Sequence, residues 1–278
     1  MISPNVRHQY VGGFRRRLPG TSASQRNIRL QIEYDGTNYA GWQLQSSRKK
    51  KTIQQVLEKT LRKILQEKIH LIVSGRTDSG VHALAQVANF KTSSKIPADR
   101  LRYALNGNLP ADIVVSAAHD AALGFHSQFS AKSKAYRYCI LNRPYPSALL
   151  RQGAYFYPHH LDTALMHKEA RCLLGRHDFA SFCASGSSVK TTIRTIKRIS
   201  IRQAKAHQAG LPPGLLIIEI EGDGFLYNMV RNIAGTLIEI GRGRFGPGYL
   251  KKLLQAKNRK LAGPTAPARG LYLVEVNY

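Results

Sequence analysis

Acidic residues are scarce in this sequence. Only 16 of its 278 residues are Asp or Glu, against 42 Lys and Arg, so the formal net charge is +26. A positive charge of this size indicates a polyanionic partner, most often a nucleic acid. A generally basic protein without a specific ligand is the simpler alternative. Binding to an anionic membrane surface would need a long basic amphipathic helix, and the sequence shows none.

Cysteines and long apolar runs are also few. The three cysteines, Cys139, Cys172 and Cys183, are odd in number and show no C-x-x-C spacing, which argues against a disulfide framework and a zinc ribbon. This usage fits a reducing compartment, and we expect a cytoplasmic protein. The longest apolar run, 215–218, is far shorter than the ~20 residues of a membrane-spanning helix. We therefore expect no membrane partner.

The N-terminal segment differs in composition from the rest of the chain. Residues 1–26 contain no acid, and Arg15, Arg16 and Arg17 form a basic cluster within them. No apolar stretch follows as in a secretory signal. The segment is expected to be a disordered basic tail, with an organelle transit peptide as the alternative.

The hydrophobic pattern predicts an α+β fold in which a β-α-β-β-α-β order occurs twice. We expect two ferredoxin-like halves, 27–123 and 130–278, with largely antiparallel sheets that meet at a central basic cleft. In the first half strands are predicted at 28–34, 71–73, 87–90 and 113–115, with helices that begin after Thr52 and at Pro97. In the second half strands are predicted at 136–140, 193–201, 215–220 and 271–276, with helices at 161–174, 227–240 and 248–256.

The densest polar segment is the loop Gly75-Arg76-Thr77-Asp78-Ser79-Gly80-Val81-His82, between two short apolar strands. Arg76 could hold the Asp78 carboxylate ionised and also attract phosphate. Ordinary turn chemistry explains Thr-Asp-Ser-Gly equally well. The ten His residues show no metal-ligand spacing, so no metal site is expected. Gly241-x-Gly243-x-x-Gly246 follows a helix and not a strand, and it is interpreted as a helix-ending loop and not a dinucleotide site.

Aromatic residues near basic ones suggest base stacking. Tyr34 and Trp42 lie in or beside a Gly-rich loop, and Tyr136 and Tyr138 share one face of a strand. Core packing is the alternative for all four. Arg231 lies within an otherwise apolar helix and needs a partner if it is buried; a carboxylate such as Asp78 or a phosphate would serve.

These segments, in this order, resemble the bacterial-type tRNA pseudouridine synthase A family over about residues 28–278. The 75–82 loop carries the most specific resemblance. Further matching stretches are Tyr34-Asp35-Gly36-Thr37, Gly41-Trp42-Gln43, Leu105 to Pro110, Phe125-His126, Phe129-Ser130-Ala131, Tyr136-Arg137-Tyr138, His177 to Phe182, Phe225 to Arg231, Gly263 to Leu273 and Tyr278. Gln128 departs from the family, which often has Arg there, and this puts an RNA or intradomain contact in doubt.

The resemblance implies an isomerase that converts uridine to pseudouridine at positions 38, 39 and 40 of the tRNA anticodon arm. It further implies that no cofactor is used and that the enzyme is a homodimer. Asp78 would be the nucleophile, Arg76 and Arg231 active-site arginines, and Tyr136 the residue that packs on the target uracil. Attack at C1′, attack at C6 and elimination to a glycal all remain open.

A non-catalytic RNA-binding protein built of RRM-like halves is the alternative function. It would predict a strand with the interleaved aromatics of an RNP1 motif, which the sequence does not contain. It would also leave the 75–82 loop without a purpose.

Overall fold

The computed structural model describes residues 25–43, 51–186, 189–204 and 212–278. Nearly all of the predicted basic tail lies outside these residues, and so does the 44–47 end of the Gly-rich loop predicted at 35–47. Within them the chain has a mixed α+β fold. Its elements are β1 (Arg26–Tyr34), α1 (Ile53–Leu65), β2 (Ile72–Val73), β3 (His82–Thr92), α2 (Ala98–Asn106), β4 (Ile113–Ala121), β5 (Ser133–Asn142), β6 (Tyr155–Tyr157), α3 (Thr163–Ala170), β7 (Gly175–Asp178), β8 (Ile193–Gln203), β9 (Leu215–Gly222), α4 (Met229–Gly241), α5 (Tyr249–Ala256) and β10 (Leu271–Asn277).

The ten strands of the described residues form one sheet in the order β4-β1-β3-β10-β5-β9-β8-β7, with β2 beside β3 and β6 beside β5. Most neighbours are antiparallel; β10–β3 and β5–β6 are parallel. The expectation of separate sheets is therefore corrected. The last strand, β10, pairs with β5 of its own half and with β3 of the other, where Tyr272 lies opposite His82.

Helix α1 begins where the sequence predicts. The Thr52 hydroxyl accepts a hydrogen bond from the Gln55 backbone N–H at 3.2 Å, and the Gln55 side chain accepts one from the Thr52 N–H at 3.0 Å. A capping box of this kind satisfies two N–H groups that the helix leaves unpaired and contributes about 1 kcal/mol. Ile53, Leu57 and Leu61 on the apolar face are fully buried.

Several boundaries differ from the prediction. β1 begins at Arg26, one residue before the predicted first half, because Arg26 already pairs with Thr92 of β3. Its guanidinium also binds Asp120 on β4 at 2.8 Å. β3 begins at His82 and not at Val87; it is buried on both faces for most of its length, which removes the alternation that marks a strand. Helix α3 ends at Ala170 and a 3₁₀ turn continues to Leu173.

Two questions that the sequence left open are answered by burial. Trp42 is completely buried and Tyr34 is 3% exposed, so both are core residues and not base-stacking platforms. Their rings contact each other with centroids 6.2 Å apart. The glycine-rich stretch after α4 ends that helix, as predicted, and its Arg244 binds Glu239 at 3.0 Å.

Candidate active site

A cavity of about 620 Å³ opens between the two halves of the sheet. Three segments supply most of its lining: the 75–82 loop with the residues just before it, the cavity-facing side chains of β5, and residues 225–230, which lead into α4. Asp78, Arg76 and Tyr136 all lie in this lining, and Arg231 lies one residue beyond it. The structure therefore brings the four predicted site residues to one place, from three distant parts of the chain.

The buried side-chain amide of Gln86, on β3, holds the start of the 75–82 loop. The Gln86 side chain on β3 donates to the Gly75 carbonyl at 2.9 Å and accepts from the Ser74 hydroxyl at 2.7 Å. The Tyr34 hydroxyl forms a further hydrogen bond of 2.7 Å with the Thr77 hydroxyl. Burial raises the pKa of Tyr34 to about 12, so its hydroxyl stays protonated and available for this contact. These bonds fix the backbone on both sides of Arg76.

The loop that follows β1 supports the 75–82 loop from the other side. The backbone N–H of Trp42 donates to the Thr77 carbonyl at 3.0 Å, and the Ser79 hydroxyl donates to the Tyr39 carbonyl at 3.0 Å. Gly41 adopts a φ of +93°, and a Cβ there would lie 2.6 Å from the Thr77 carbonyl oxygen. Only glycine fits this close approach of two backbones. The Gly-Trp-Gln stretch thus positions the residues around Asp78.

Asp78 lies at the centre of the site and faces Arg231. A carboxylate oxygen of Asp78 is 3.6 Å from a terminal nitrogen of Arg231, and the two side chains are 31% and 17% exposed. Arg231 is oriented by two further bonds, from Nε to the Ala266 carbonyl at 2.7 Å and to the Asn228 side chain at 2.9 Å. The structure thus supplies the partner that an arginine in an apolar helix requires.

Tyr136 and Tyr138 have different surroundings, although both belong to β5. Tyr138 is fully buried, and its hydroxyl donates to the Pro267 carbonyl at 2.8 Å, so it is a core residue. Tyr136 lines the cavity at 8% exposure, and Phe225 contacts it edge-on with ring centroids 5.0 Å apart. Burial, and to a smaller extent the nearby negative charge of Asp78, raises the pKa of Tyr136 well above its usual value. The ring is therefore neutral and rigidly held.

His82, the last residue of the sequence motif, does not line the cavity. It is 3% exposed and stacks on Tyr272 of β10 with ring centroids 4.7 Å apart. Its Nδ1 lies 3.2 Å from the Gly36 N–H, and its Nε2 lies 2.9 Å from the Gln152 carbonyl. These contacts lie where β3 meets β10, so His82 helps to join the two halves of the sheet.

The polar residues of the lining include two that the sequence singles out, Arg76 and Gln128. Arg76 is exposed, and Gln128 lies in the lining. Sequence reasoning missed a third, Lys134, which is half-buried on the same face of β5 as Tyr136 and donates to the Ser74 carbonyl. Its spacing of two residues from Tyr136 was the available signal, because alternate side chains of a strand share a face.

A metal site was not expected from the sequence. The described residues contain no group of three or more His, Cys, Asp or Glu side chains that could hold a metal ion. Among the described helices, none has both the length and the apolar character to cross a membrane.

The family model and the similar proteins all point to the same family. A family model described as tRNA pseudouridine synthase matches residues 31–130 and 170–278. The chain is 49% identical over 253 residues to tRNA pseudouridine synthase A of Acetivibrio thermocellus, covering 91% of this chain and all of the relative. It is 47% identical over 253 residues to tRNA pseudouridine synthase A 2 of Clostridium tetani, covering 91% and 99%.

The similarity to solved structures is much weaker. A chain in the crystal structure of a Cbf5-Nop10-Gar1 complex is 11% identical with a TM-score of 0.34, covering 89% of this chain and 58% of that one. This value is too low to bear on the fold. The family match and the full-length relatives decide the assignment: the chain belongs to the tRNA pseudouridine synthase family.

Proposed function

We propose that this protein isomerises uridine to pseudouridine in tRNA, with Asp78 as the nucleophile. The observation that carries the proposal is the ion pair of Asp78 and Arg231 at 3.6 Å, beside the buried ring of Tyr136 in one cavity. Family membership supports the reaction class, and this arrangement supports the residues that the resemblance implies. The +26 net charge suits a nucleic-acid substrate.

The reaction replaces one bond between the uracil and the ribose with another and leaves the composition of the nucleotide unchanged. The N1–C1′ bond breaks, the uracil rotates, and C5 bonds to C1′; the proton at C5 leaves, and N1 of the product carries a proton. A carboxylate can form a covalent intermediate with a carbon centre without a separate base to activate it. Asp78 supplies that carboxylate, and the Arg231 guanidinium lies 3.6 Å from it.

The target base must leave the helix stack before it can reach Asp78. Proteins that act on a base hold the flipped base between aromatic or apolar side chains. Tyr136 provides a ring fixed by Phe225, and the cavity volume of about 620 Å³ is within the range of small-ligand sites. Arg76, exposed in the cavity lining, is positioned to meet the RNA backbone. We therefore assign Tyr136 to the uracil and Arg76 to the surrounding RNA.

The substrate positions proposed are 38, 39 and 40 of the anticodon arm, and the proposed compartment is the cytoplasm. Both follow from the resemblance and from the cysteine usage. The protein is proposed to act as a homodimer, because a second basic copy would extend the surface available to a long tRNA arm. Sedimentation at micromolar concentration should give twice the 31.0 kDa chain mass; a fully active monomer would contradict this.

Two ferredoxin-like halves, 27–123 and 130–278, with a basic cleft between them are part of the same proposal. The strand order β4-β1-β3, with β2 on the far side of β3, supports the first half. The order β10-β5-β9-β8 supports the second, since it places the last strand beside the first. Asp78 comes from the first half and Arg231 from the second, so the cavity requires both.

The test uses an unmodified tRNA transcript that carries tritium at C5 of uridine. The protein should release tritium without added metal or cofactor, and sequencing of the product should find pseudouridine at 38, 39 or 40. Binding without tritium release would favour the non-catalytic RNA-binding alternative. Release accompanied by pseudouridine elsewhere in the tRNA would overturn the assignment to the anticodon arm.

A further inference from the structure

Lys134 is a cation in the cavity for which neither the fold nor the reaction outlined above has an assigned use. It lies on β5 two residues before Tyr136, so the two side chains share one face and are about 6.6 Å apart along the strand. Both line the cavity. A lysine at this place is costly because its ammonium loses hydration, and burial lowers the pKa of Lys134 accordingly.

The ammonium of Lys134 has one protein acceptor. It donates to the Ser74 carbonyl, and among the described residues it makes no other hydrogen bond and no ion pair with a carboxylate. An ammonium has three donors. Two of them are therefore available to a ligand in the cavity.

The neighbouring loop makes room for this ammonium. A Cβ on Gly75 would lie 3.1 Å from Nζ of Lys134 and 3.7 Å from its Cε. The lysine stem thus packs directly under the glycine that opens the 75–82 loop, and its direction is fixed. A fixed, partly dehydrated ammonium without a carboxylate partner is a site for an anionic oxygen.

We propose that Lys134 binds a phosphate next to the target uridine, so that Tyr136 holds the base while Lys134 holds the backbone of the same nucleotide. This inference rests on the proposed function. Phosphate is the anion that a tRNA brings into the cavity, and contacts to phosphate set the register of a nucleic acid on a protein. The site would fix which nucleotide along the strand faces Asp78.

The test compares Lys134→Met, Lys134→Arg and the wild type in tRNA binding over a range of salt concentrations. If about six phosphates are contacted, the wild-type slope of log K against log salt is roughly −4 to −5. Lys134→Met should make the slope less negative by about 0.7 to 0.9 and weaken binding about fivefold near 0.15 M salt. Lys134→Arg keeps the charge and should retain the wild-type slope. Lys252→Met removes an equal charge from the exposed face of α5 as the control for net charge.

A second measurement locates the phosphate. A methylphosphonate on either side of the target uridine removes one backbone charge. At one of the two positions it should weaken binding to the wild type and to Lys252→Met about fivefold, and it should have almost no effect on Lys134→Met. This loss of additivity would identify the contact.

The outcomes separate three explanations. The proposal would be overturned if Lys134→Met kept the wild-type salt slope and each methylphosphonate weakened its binding as much as it weakens binding to the wild type. If the turnover or the melting temperature of Lys134→Met then falls, Lys134 only supports the Ser74 carbonyl or contacts the uracil. Tritium release by the wild type, measured in the same preparation, keeps this result separate from the proposed function. A wild type that binds tRNA but releases no tritium would refute the isomerase and leave the phosphate site to be judged by the slopes.

Discussion

The two faces of β5 use the same kinds of side chain for different purposes. On one face, Lys134 and Tyr136 line the cavity, beside the ion pair of Asp78 and Arg231. On the other face, Arg137 binds Glu219 of the adjacent strand β9 at 2.7 Å. An arginine–carboxylate pair thus lies on each side of β5, a central strand of the sheet.

The surroundings of the two pairs differ. Arg137 and Glu219 are directly opposite in the register of β5 and β9, and Glu219 has a second cation, Arg202 of β8, at 3.8 Å. Such a pair connects neighbouring strands. Asp78 and Arg231 are remote in sequence, come from a loop and a helix, are 3.6 Å apart and border a cavity. The location of an arginine–carboxylate pair, and not its residue types, therefore indicates its function.

The largest difference between the two pairs is expected when the carboxylate of each is replaced. Asp78→Asn keeps the size of the side chain but removes the nucleophile, so tritium release should fall about 10³-fold or more. Binding of tRNA should stay the same or improve, since one negative charge near phosphates is lost. Glu219→Gln should retain activity within about threefold. Near-normal turnover by the Asn variant would remove Asp78 as the nucleophile.

Replacing the two arginines should show the same contrast in tritium release as replacing the two carboxylates. Arg231→Met removes a preorganised cation beside the reacting carboxylate, and tritium release should fall roughly 10²-fold. Arg137→Met leaves the cavity intact and should alter turnover by less than about threefold. Equal losses in the two variants, with equal losses of thermal stability, would make Arg231 a structural residue.

Tyr136 can be tested through its ring. Tyr136→Ala should lower kcat/KM about 10- to 100-fold, because stacking a base on an aromatic ring is worth about 1–3 kcal/mol. Tyr136→Phe keeps the ring and its contact with Phe225, so kcat/KM should stay within several-fold of the wild type. If the Ala and Phe variants behave alike, the ring does not hold the uracil.

The support of the 75–82 loop is testable with two glycines of positive φ. Gly41 has a φ of +93° and contacts the Thr77 carbonyl, whereas Gly243 has a φ of +83° and open space around it. Alanine at Gly243 should cost about 1–2 kcal/mol of unfolding free energy from backbone strain alone. Alanine at Gly41 should cost about 1–3 kcal/mol more, since the loop must also move.

Urea denaturation measures both costs, and tritium release should fall several-fold only for Gly41→Ala. Equal stability losses and equal activity in the two variants would show that the loop following β1 does not position Asp78.

Much of this organisation could be predicted from the sequence. The alternation of β1, the cap at Thr52 and the apolar face of α1 are local signals, and each lies where it was predicted. Arg231 was singled out because an arginine in an apolar helix needs a partner, and the structure places Asp78 there. The site residues themselves came from the family resemblance.

Other features could not be predicted because they depend on contacts between distant segments. The single sheet results from Tyr272 and Leu273 pairing with His82 and Ala83, and no local pattern records that register. The strand β7 is short and polar, so it has no hydrophobic alternation. Lys134 is an ordinary basic residue in a basic chain until the Ser74 carbonyl and the cavity are known.

If the proposed function is correct, pseudouridine formation in tRNA depends on the cavity that contains Asp78. The most direct test maps pseudouridine in tRNA from cells that lack this protein and carry instead the wild type, Asp78→Asn or Glu219→Gln at equal abundance. Pseudouridine is expected at 38, 39 or 40 with the wild type and with Glu219→Gln, and none is expected there with Asp78→Asn. Pseudouridine at these positions with Asp78→Asn, or its loss with Glu219→Gln alone, would contradict the assignment of the reaction to the cavity that contains Asp78.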